Sequence, residues 1–528
     1  MKKRNFKYIL CALCSAVLLL SSCNEWLDIT SEQEVIEDDA FASTKGYRSA
    51  LTGIYKIVAS ESLYGQELTW GLKASLAWNY KSGNAVVKYR APIQAVEGGK
   101  DDYYTSGTFK AITETVWKKA YNAIANCNNL LQEIEKCNDT FEYEWEKDMI
   151  MAEARGLRAL LHFELLQLFV PAPVTGYTGS AIPYVTKYPD LAPVRHSIDE
   201  VLKFVIEDLE YAQEKLAPID IDELRNKSNF VAGATRLDDM DYVLFQGVGN
   251  IHSDGGKRDN ATGDGFFAFR GYRFNYWSAT GMLARVHSYM RNFDEAEPYA
   301  DLVIEWIRDN QFWIYGEKAA DNKGIDASYG PNQIDGKRRP EPILAFWNNK
   351  VCSNYQTQTG GSYNIMVDLQ YLFDGDLSTD YRYTTLLNTE TNRYRVWDAP
   401  DSTFTKTNTY TKAVQQYSNP LIPVLELPEI LFIKAECLAQ NGFFTDAAAL
   451  IQRIRNARDC TAPITITDMN SFNERMVNEA ERDFLTRGTT FTFLKKLNWP
   501  TMYNGTPTRQ IIPEDWYVLP IPDSETVN

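Results

Sequence analysis

Leu427-Pro428-Glu429-Ile430-Leu431-Phe432-Ile433-Lys434-Ala435-Glu436-Cys437-Leu438-Ala439-Gln440-Asn441-Gly442 reads as an apolar helix that runs into a stop. Asn441-Gly442 is a C-cap signal, because the residue after a helix often takes a left-handed conformation that glycine adopts without steric cost. A second helix, Thr445 to Arg458, follows at once. Two helices this close in sequence form an antiparallel hairpin.

The same unit recurs upstream. Phe274 to Tyr289 and Phe293 to Ile307 form a pair split at Arg291-Asn292. In it, Met282, Ala284, Tyr289, Phe293, Ala296 and Ala300 alternate small and large residues, which lets two helices pack closely. Val116, Ala120, Ile124, Leu130, Leu131 and Ile134 place an apolar stripe on one helix. After a break at Asn138-Asp139 a second helix runs from about Tyr143 to Val170, and Pro171 stops it. Ser197 with Glu200 three residues on is a capping box for a helix to about Leu216. Tyr47, Leu51, Ile54, Tyr55 and Val58 mark an early helix begun at Ser43 or Thr44, and Asn473 to Leu485 a late one. These helix lengths are near those of tetratricopeptide units, in an irregular array with large insertions. The expected fold class is mainly all-α.

The insertions carry many of the chain's aromatics, 12 Trp, 31 Tyr and 25 Phe in all, among Gly, Asn and Thr. Glu61 to Gly107 reads as long ordered loops with room for a short strand pair. Asp220 to Asp264 is polar and Gly-rich. Trp313 to Asn419 is the longest non-periodic part and holds a candidate strand, Pro342 to Trp347. Loops of such length in a compact domain are usually functional.

The N-terminus fixes the compartment. Lys2, Lys3, Arg4 and Lys7 precede an apolar run, Ile9 to Leu20, and then Ser21-Ser22-Cys23. That is the layout of a secretory signal, and Leu20-Ser21-Ser22-Cys23 resembles a bacterial lipobox. Residues 1–22 are expected to leave. Cys23 is expected to carry lipid, residues 23–39 to form a tether, and residues 40–528 one domain, with an N-terminal part about 40–220 and a C-terminal part about 270–528. No later segment reads as a membrane helix. The formal charge is −16, and loss of Lys2, Lys3, Arg4 and Lys7 leaves about −20. An acidic chain without a basic cluster argues against nucleic acid.

Cys127, Cys137, Cys352, Cys437 and Cys460 remain after the signal. Their number is odd and none has C-x-x-C spacing, so buried thiols with at most one or two bridges are expected. The histidines His162, His196, His252 and His287 are scattered. No H-E-x-x-H, Walker A loop or G-x-S-x-G elbow occurs. Asp374-Gly375-Asp376-Leu377-Ser378-Thr379-Asp380 looks like a calcium loop, but Thr379 and Thr385 stand where Gly and Glu belong. A turn or helix cap is the reading, with no metal and no cofactor.

Several segments resemble the SusD/RagB family of surface glycan- and nutrient-binding lipoproteins of Bacteroidetes. Ser22-Cys23-Asn24-Glu25-Trp26-Leu27-Asp28 resembles its lipobox and sequel. Ala152-Glu153-Ala154-Arg155-Gly156-Leu157-Arg158-Ala159, with Phe163-Glu164-Leu165 and Leu168-Phe169, resembles its long helix. Leu427 to Gly442, then Ile454-Arg455-Asn456-Ala457-Arg458, resembles its late repeat, and Leu519-Pro520-Ile521-Pro522 its ending. Arg487-Gly488-Thr489-Thr490 departs from the family's Glu-Gly-x-Arg-like segment, and Phe169-Val170-Pro171-Ala172-Pro173 from its Gly-Gly-x-Pro. The resemblance implies four tetratricopeptide-like pairs with irregular ligand-binding segments on one side. It also implies a TonB-dependent, SusC-like outer-membrane transporter as partner, over which the lipoprotein closes as a lid.

Binding, not bond breaking, is therefore expected, with an oligosaccharide as ligand. Sugars stack their C–H faces on Trp and Tyr rings while Asn, Asp, Gln and Arg bond their hydroxyls, and rigid rings lose little entropy in doing so. Two clusters fit: Trp70, Trp78, Asn79, Tyr80, Tyr89 and Arg90; and Trp347, Asn348, Asn349 and Tyr355. At least one of Trp70, Trp78 and Trp347 is expected to touch ligand. The family's ligand residues lie in variable loops, so the resemblance assigns none of these. A peptide-binding, RagB-like role and a transporter lid with little affinity of its own stand as alternatives.

Overall fold

The structure, a computed structural model, describes residues 41–80, 104–223, 266, 270–305, 314–317, 337–338, 341–359, 369–388, 393–397, 420–503, 507–513 and 515–525. Residues 1–40, including Cys23, lie outside the described residues, as do Tyr89, Arg90 and His252.

Helices dominate. α1 (Thr44–Val58) buries Tyr47, Leu51, Ile54 and Val58 on one stripe. After the short α2 (Leu72–Leu76) comes α3 (Gly107–Lys136), which starts nine residues before the periodic stripe, where the Ser106 side chain caps the Phe109 N–H. α4 (Glu146–Phe169) is buried on almost every face, polar side chains such as Glu153, Arg158 and His162 included, which makes it a central helix. Within it Gly156 leaves no room for a Cβ, because the Phe274 ring lies where one would stand. α5 (Ile198–Ala217) has the expected Ser197–Glu200 capping box. α6 (Tyr276–Tyr289) and α7 (Phe293–Glu305) follow, then α8 (Val351–Thr359) and the single turn α9 (Tyr381–Thr384). α10 (Leu427–Gln440) and α11 (Phe444–Ala457) complete the late hairpin, and α12 (Met469–Asp483) starts on an Asp468 cap. α13 (Thr489–Lys496) has no counterpart in the periodic pattern.

The longer helices pack serially: α1 on α3, α3 on α4, α4 on α5, α5 on α6, α6 on α7, α7 on α10, α10 on α11 and α11 on α12. This is the stacked-hairpin principle, in which each unit buries the face its neighbour exposes. After the short antiparallel pair β1 (Ser180–Pro183) and β2 (Arg195–Ser197), the expected strand Pro342–Trp347 (β3) is present and pairs antiparallel with Leu421–Glu426, which feeds directly into α10. The other strand pairs among the described residues are two to four residues long. By length and composition Glu146–Thr175 passes for a membrane span, contrary to the sequence expectation, but 83% of its apolar window is buried inside the protein. It is a core helix.

Ion pairs brace the interior where α11 and α12 meet the irregular chain. Asp483 accepts from Arg338 (2.8 Å), Arg382 (3.1 Å) and Arg458 (2.9 Å), all fully buried. Arg382 also grips Asp380 (2.6 Å) and Glu479 (3.0 Å). Burial opposes ionisation of Asp483, yet the Arg338 and Arg458 charges outweigh it and hold its carboxyl well below the usual range. Asp376, in the stretch that looks like a calcium loop, accepts from Arg455 (3.2 Å) and Arg482 (2.8 Å), and Asp380 caps α9. Arginines therefore take up those carboxylates. Cys127, Cys352, Cys437 and Cys460 are buried and Cys137 half-buried, all as free thiols.

Candidate functional site

The first aromatic cluster is a correction. Trp70 and Trp78 are each 1% exposed, and Asn79, Tyr80 and Tyr355 are buried too. Residues 61–80 form a run of tight turns around α2, without a strand, packed into the core. The Trp70 ring meets Tyr355 edge-on at 5.3 Å, and Trp78 meets Trp516 at 6.2 Å. Tyr80 donates its hydroxyl to the Trp70 carbonyl, and Asn79 accepts from the Thr486 N–H at 3.1 Å. Trp516 donates to the Leu76 carbonyl (3.0 Å) and stacks on Tyr104 at 5.2 Å. These rings clamp the N-terminal turns to the C-terminal segment and offer no face to a ligand from solvent. The signal was present in sequence: Leu63, Leu68, Leu72 and Leu76 interleave with the two tryptophans, and all four are buried.

Trp347 differs. β3 is buried at its first five residues and exposed at its last, so the strand carries Trp347 out of the core at 38% exposure. The backbone beneath is fixed by the Trp347–Leu421 register and by the Asn348 N–H, which donates to the Pro420 carbonyl at 2.9 Å. Asn348 Nδ2 donates to the Ala59 carbonyl at the end of α1 (2.8 Å), and its Oδ1 accepts from the Lys350 N–H (2.8 Å). Asn354 on α8 donates to Glu61 (2.7 Å). The result is a ledge with one large exposed ring, followed along the chain by Asn348, Asn349, Lys350 and Asn354, the last bonded to Glu61. Sequence reading names Trp347 and the two asparagines; it misses Lys350 and Asn354 a few residues on, and Glu61, which meets Asn354 only through the fold.

The ledge suits recognition of a polyhydroxylated ligand, with a flat apolar face on a rigid strand and amide and ammonium groups after it in the chain. Strongly shifted groups lie elsewhere, in the interior. Burial pushes Glu341 up, against the pull of Arg338 and Arg458. Burial and the Lys73 charge lower Lys495, which donates to the Tyr517 carbonyl at 2.6 Å. Among the described residues no three or more His, Cys, Asp or Glu side chains are placed to hold a metal ion.

The described residues form a stack of helical hairpins with turns and short strand pairs between them. Comparison with known proteins shows what the chain resembles. Residues 25–235 match the family model SusD-like_3, described as starch-binding associating with outer membrane. A SusD-like protein of Formosa agariphila is 29% identical over 216 residues, which is 40% of this chain and 38% of the relative's length. The chain thus spans well under half of that curated relative. A SusD superfamily protein of Bacteroides thetaiotaomicron shares the fold at a TM-score of 0.60 and 17% identity, over 93% of this chain and 97% of that one. A SusD-like carbohydrate binding protein of Bacteroides vulgatus does so at 0.59 and 16%, over 92% and 96%. Over residues 25–235 the chain thus resembles the SusD-like family, and over most of its length it has the fold of the SusD superfamily structures.

Proposed function

We propose that this protein captures oligosaccharides at the cell surface and passes them, unaltered, to a TonB-dependent, SusC-like transporter in the outer membrane, to which it is tethered by lipid on Cys23. The observation that carries the binding reading is the Trp347 ledge: a rigidly based, solvent-facing indole at the end of a buried strand, with polar residues following it in the chain. The family description as starch-binding supports the ligand class. The lipobox-like Leu20-Ser21-Ser22-Cys23 supports the anchor.

Two outcomes are expected. Trp347→Ala weakens binding of the cognate neutral oligosaccharide about thirtyfold in isothermal titration, the loss of about 2 kcal/mol typical of a central aromatic anchor. Because the ring is at the surface, the unfolding midpoint hardly moves. An unchanged dissociation constant in the folded variant moves the ligand off this ledge. Cys23→Ala shifts the protein from the membrane fraction to the soluble fraction, since stable anchoring rests on acyl chains worth roughly 0.8 kcal/mol per buried CH₂. Continued sedimentation with membranes after a carbonate wash refutes the lipid anchor.

A further inference from the structure

Between α3 and the irregular chain at 184–193 lies a cleft of about 570 Å³, within the size range of small-ligand sites. It is built on different elements from the Trp347 ledge. The wall at 184–193 forms neither helix nor strand, yet its backbone is held by side chains from α3 and α4. Tyr121 donates to the Pro183 carbonyl (2.9 Å), and Asn128 donates to those of Val185 (2.9 Å) and Lys187 (3.3 Å). Gln132 takes both polar groups of Tyr188, donating to its carbonyl (2.7 Å) and accepting from its N–H (2.8 Å). The Val185 N–H donates to His162 Nε2 (3.0 Å), which leaves the His162 proton on Nδ1, toward the Arg158 carbonyl (2.9 Å). The His162 ring stacks on Tyr184 at 3.9 Å, and Tyr184 donates to Asp208 at 2.6 Å. Side chains at four buried or half-buried positions thus fix one stretch of loop, and the wall is preorganised rather than merely a connector.

The open side is chemically biased. Asn122, Asn126 and Asn129 stand on one face of α3 at four- and three-residue spacing, with Lys118 and Lys119 beside them and Lys187 on the loop. Asn126 Nδ2 donates to the Asn122 carbonyl (2.7 Å), and Lys118 pairs with Glu114 at 2.8 Å. Tyr121 and Tyr188 add ring surface. The lining holds Lys119 and Lys187, with Lys118 paired to Glu114, and one carboxylate, Asp190, on a chain whose formal charge is −16.

We propose that this cleft is a second saccharide subsite, selective for sugars bearing anionic oxygens, as uronate carboxylates or sulfate esters. The amides bond hydroxyls, and the lysines bond the charged group. The inference rests on the reading of the chain as a glycan-binding protein.

The test is isothermal titration of the whole protein with tetragalacturonate, a sulfated galactan tetrasaccharide and neutral cellotetraose. Wild type, the Lys119→Gln/Lys187→Gln double variant and Trp347→Ala are compared. At least one acidic tetrasaccharide binds wild type, more weakly at high salt, because surface charges are screened there. The double variant binds it at least about tenfold more weakly, as expected on loss of a charge-assisted hydrogen bond, and Trp347→Ala binds it unchanged. The two acidic probes separate carboxylate from sulfate. Equal affinity in the double variant, or loss in Trp347→Ala instead, overturns the subsite. So does binding of neutral glycans alone, which leaves the proposed function standing. Silence from all three sugars overturns the subsite, and the proposed function is then decided by a wider panel of oligosaccharides. Should the double variant fail to fold, Asn126→Leu, which puts an exposed apolar group at the mouth, carries the same expectations.

Discussion

Asp483→Asn is expected to cost about 3–5 kcal/mol of stability, the range for breaking a buried charge cluster by removing one partner. Asp483 is the shared acceptor of Arg338, Arg382 and Arg458, and none of the four side chains is more than 1% exposed. The asparagine keeps the shape and loses the charge, so three guanidinium groups are left crowded in low dielectric. A urea-unfolding midpoint far below that of wild type is the result expected. An unchanged midpoint means that the arginines have water or other partners. The effect is pH-dependent in a defined direction. The Asp483 carboxyl is held well below its unfolded value of about 3.9, so its stabilisation is complete above that value and drains away as pH falls through the lowered one. The gap between wild type and variant is therefore full at neutral pH and closes in acid. Asp376 and Glu479, also lowered despite burial by the arginines beside them, add to the acid sensitivity with the same sign. Glu341, raised by burial, acts with the opposite sign.

Gly488→Ala is expected to destabilise by about 3 kcal/mol or more. Gly488 precedes α13 with φ +81°, in the left-handed region, and a Cβ there would stand 2.1 Å from the Leu68 carbonyl oxygen. The first effect costs roughly 1 kcal/mol and the second, against backbone that cannot rotate away, about 1–3 kcal/mol. The turn displaced would be the one leading into Trp70, so near-ultraviolet circular dichroism should change along with the midpoint. Gly442→Ala is the control. It has nearly the same φ, +80°, but open space where the Cβ would be, so it should cost only the conformational part, about 1 kcal/mol. Equal losses in the two variants contradict the close approach of α13 to the N-terminal turns.

How much of this is legible in sequence depends on how local the determining physics is. α10 can be read to its ends, Leu427–Gln440, because its apolar pattern and the Asn441-Gly442 stop are local. So can β3, and so can the Ser197–Glu200 cap. α13 escapes such a reading because Thr489-Thr490-Phe491-Thr492-Phe493 is β-branched and aromatic, poor in helix propensity, and is held helical by burial of Thr490, Phe491, Phe493 and Leu494. The candidate site divides on the same ground. Trp70, Trp78 and Trp347 look alike in their loops, but Trp78 is covered by Trp516 from the far end of the chain. Trp347 is carried outward by the last step of a strand. Exposure is a tertiary property, and neither spacing nor composition encodes it at a single ring.

The most direct test of the central claim is isothermal titration of the protein against a panel of plant, host and microbial oligosaccharides, with a mixed peptide pool alongside. The account predicts saturable heat from at least one glycan class and none from the peptides. Heat from the peptides alone, or none from either, contradicts it.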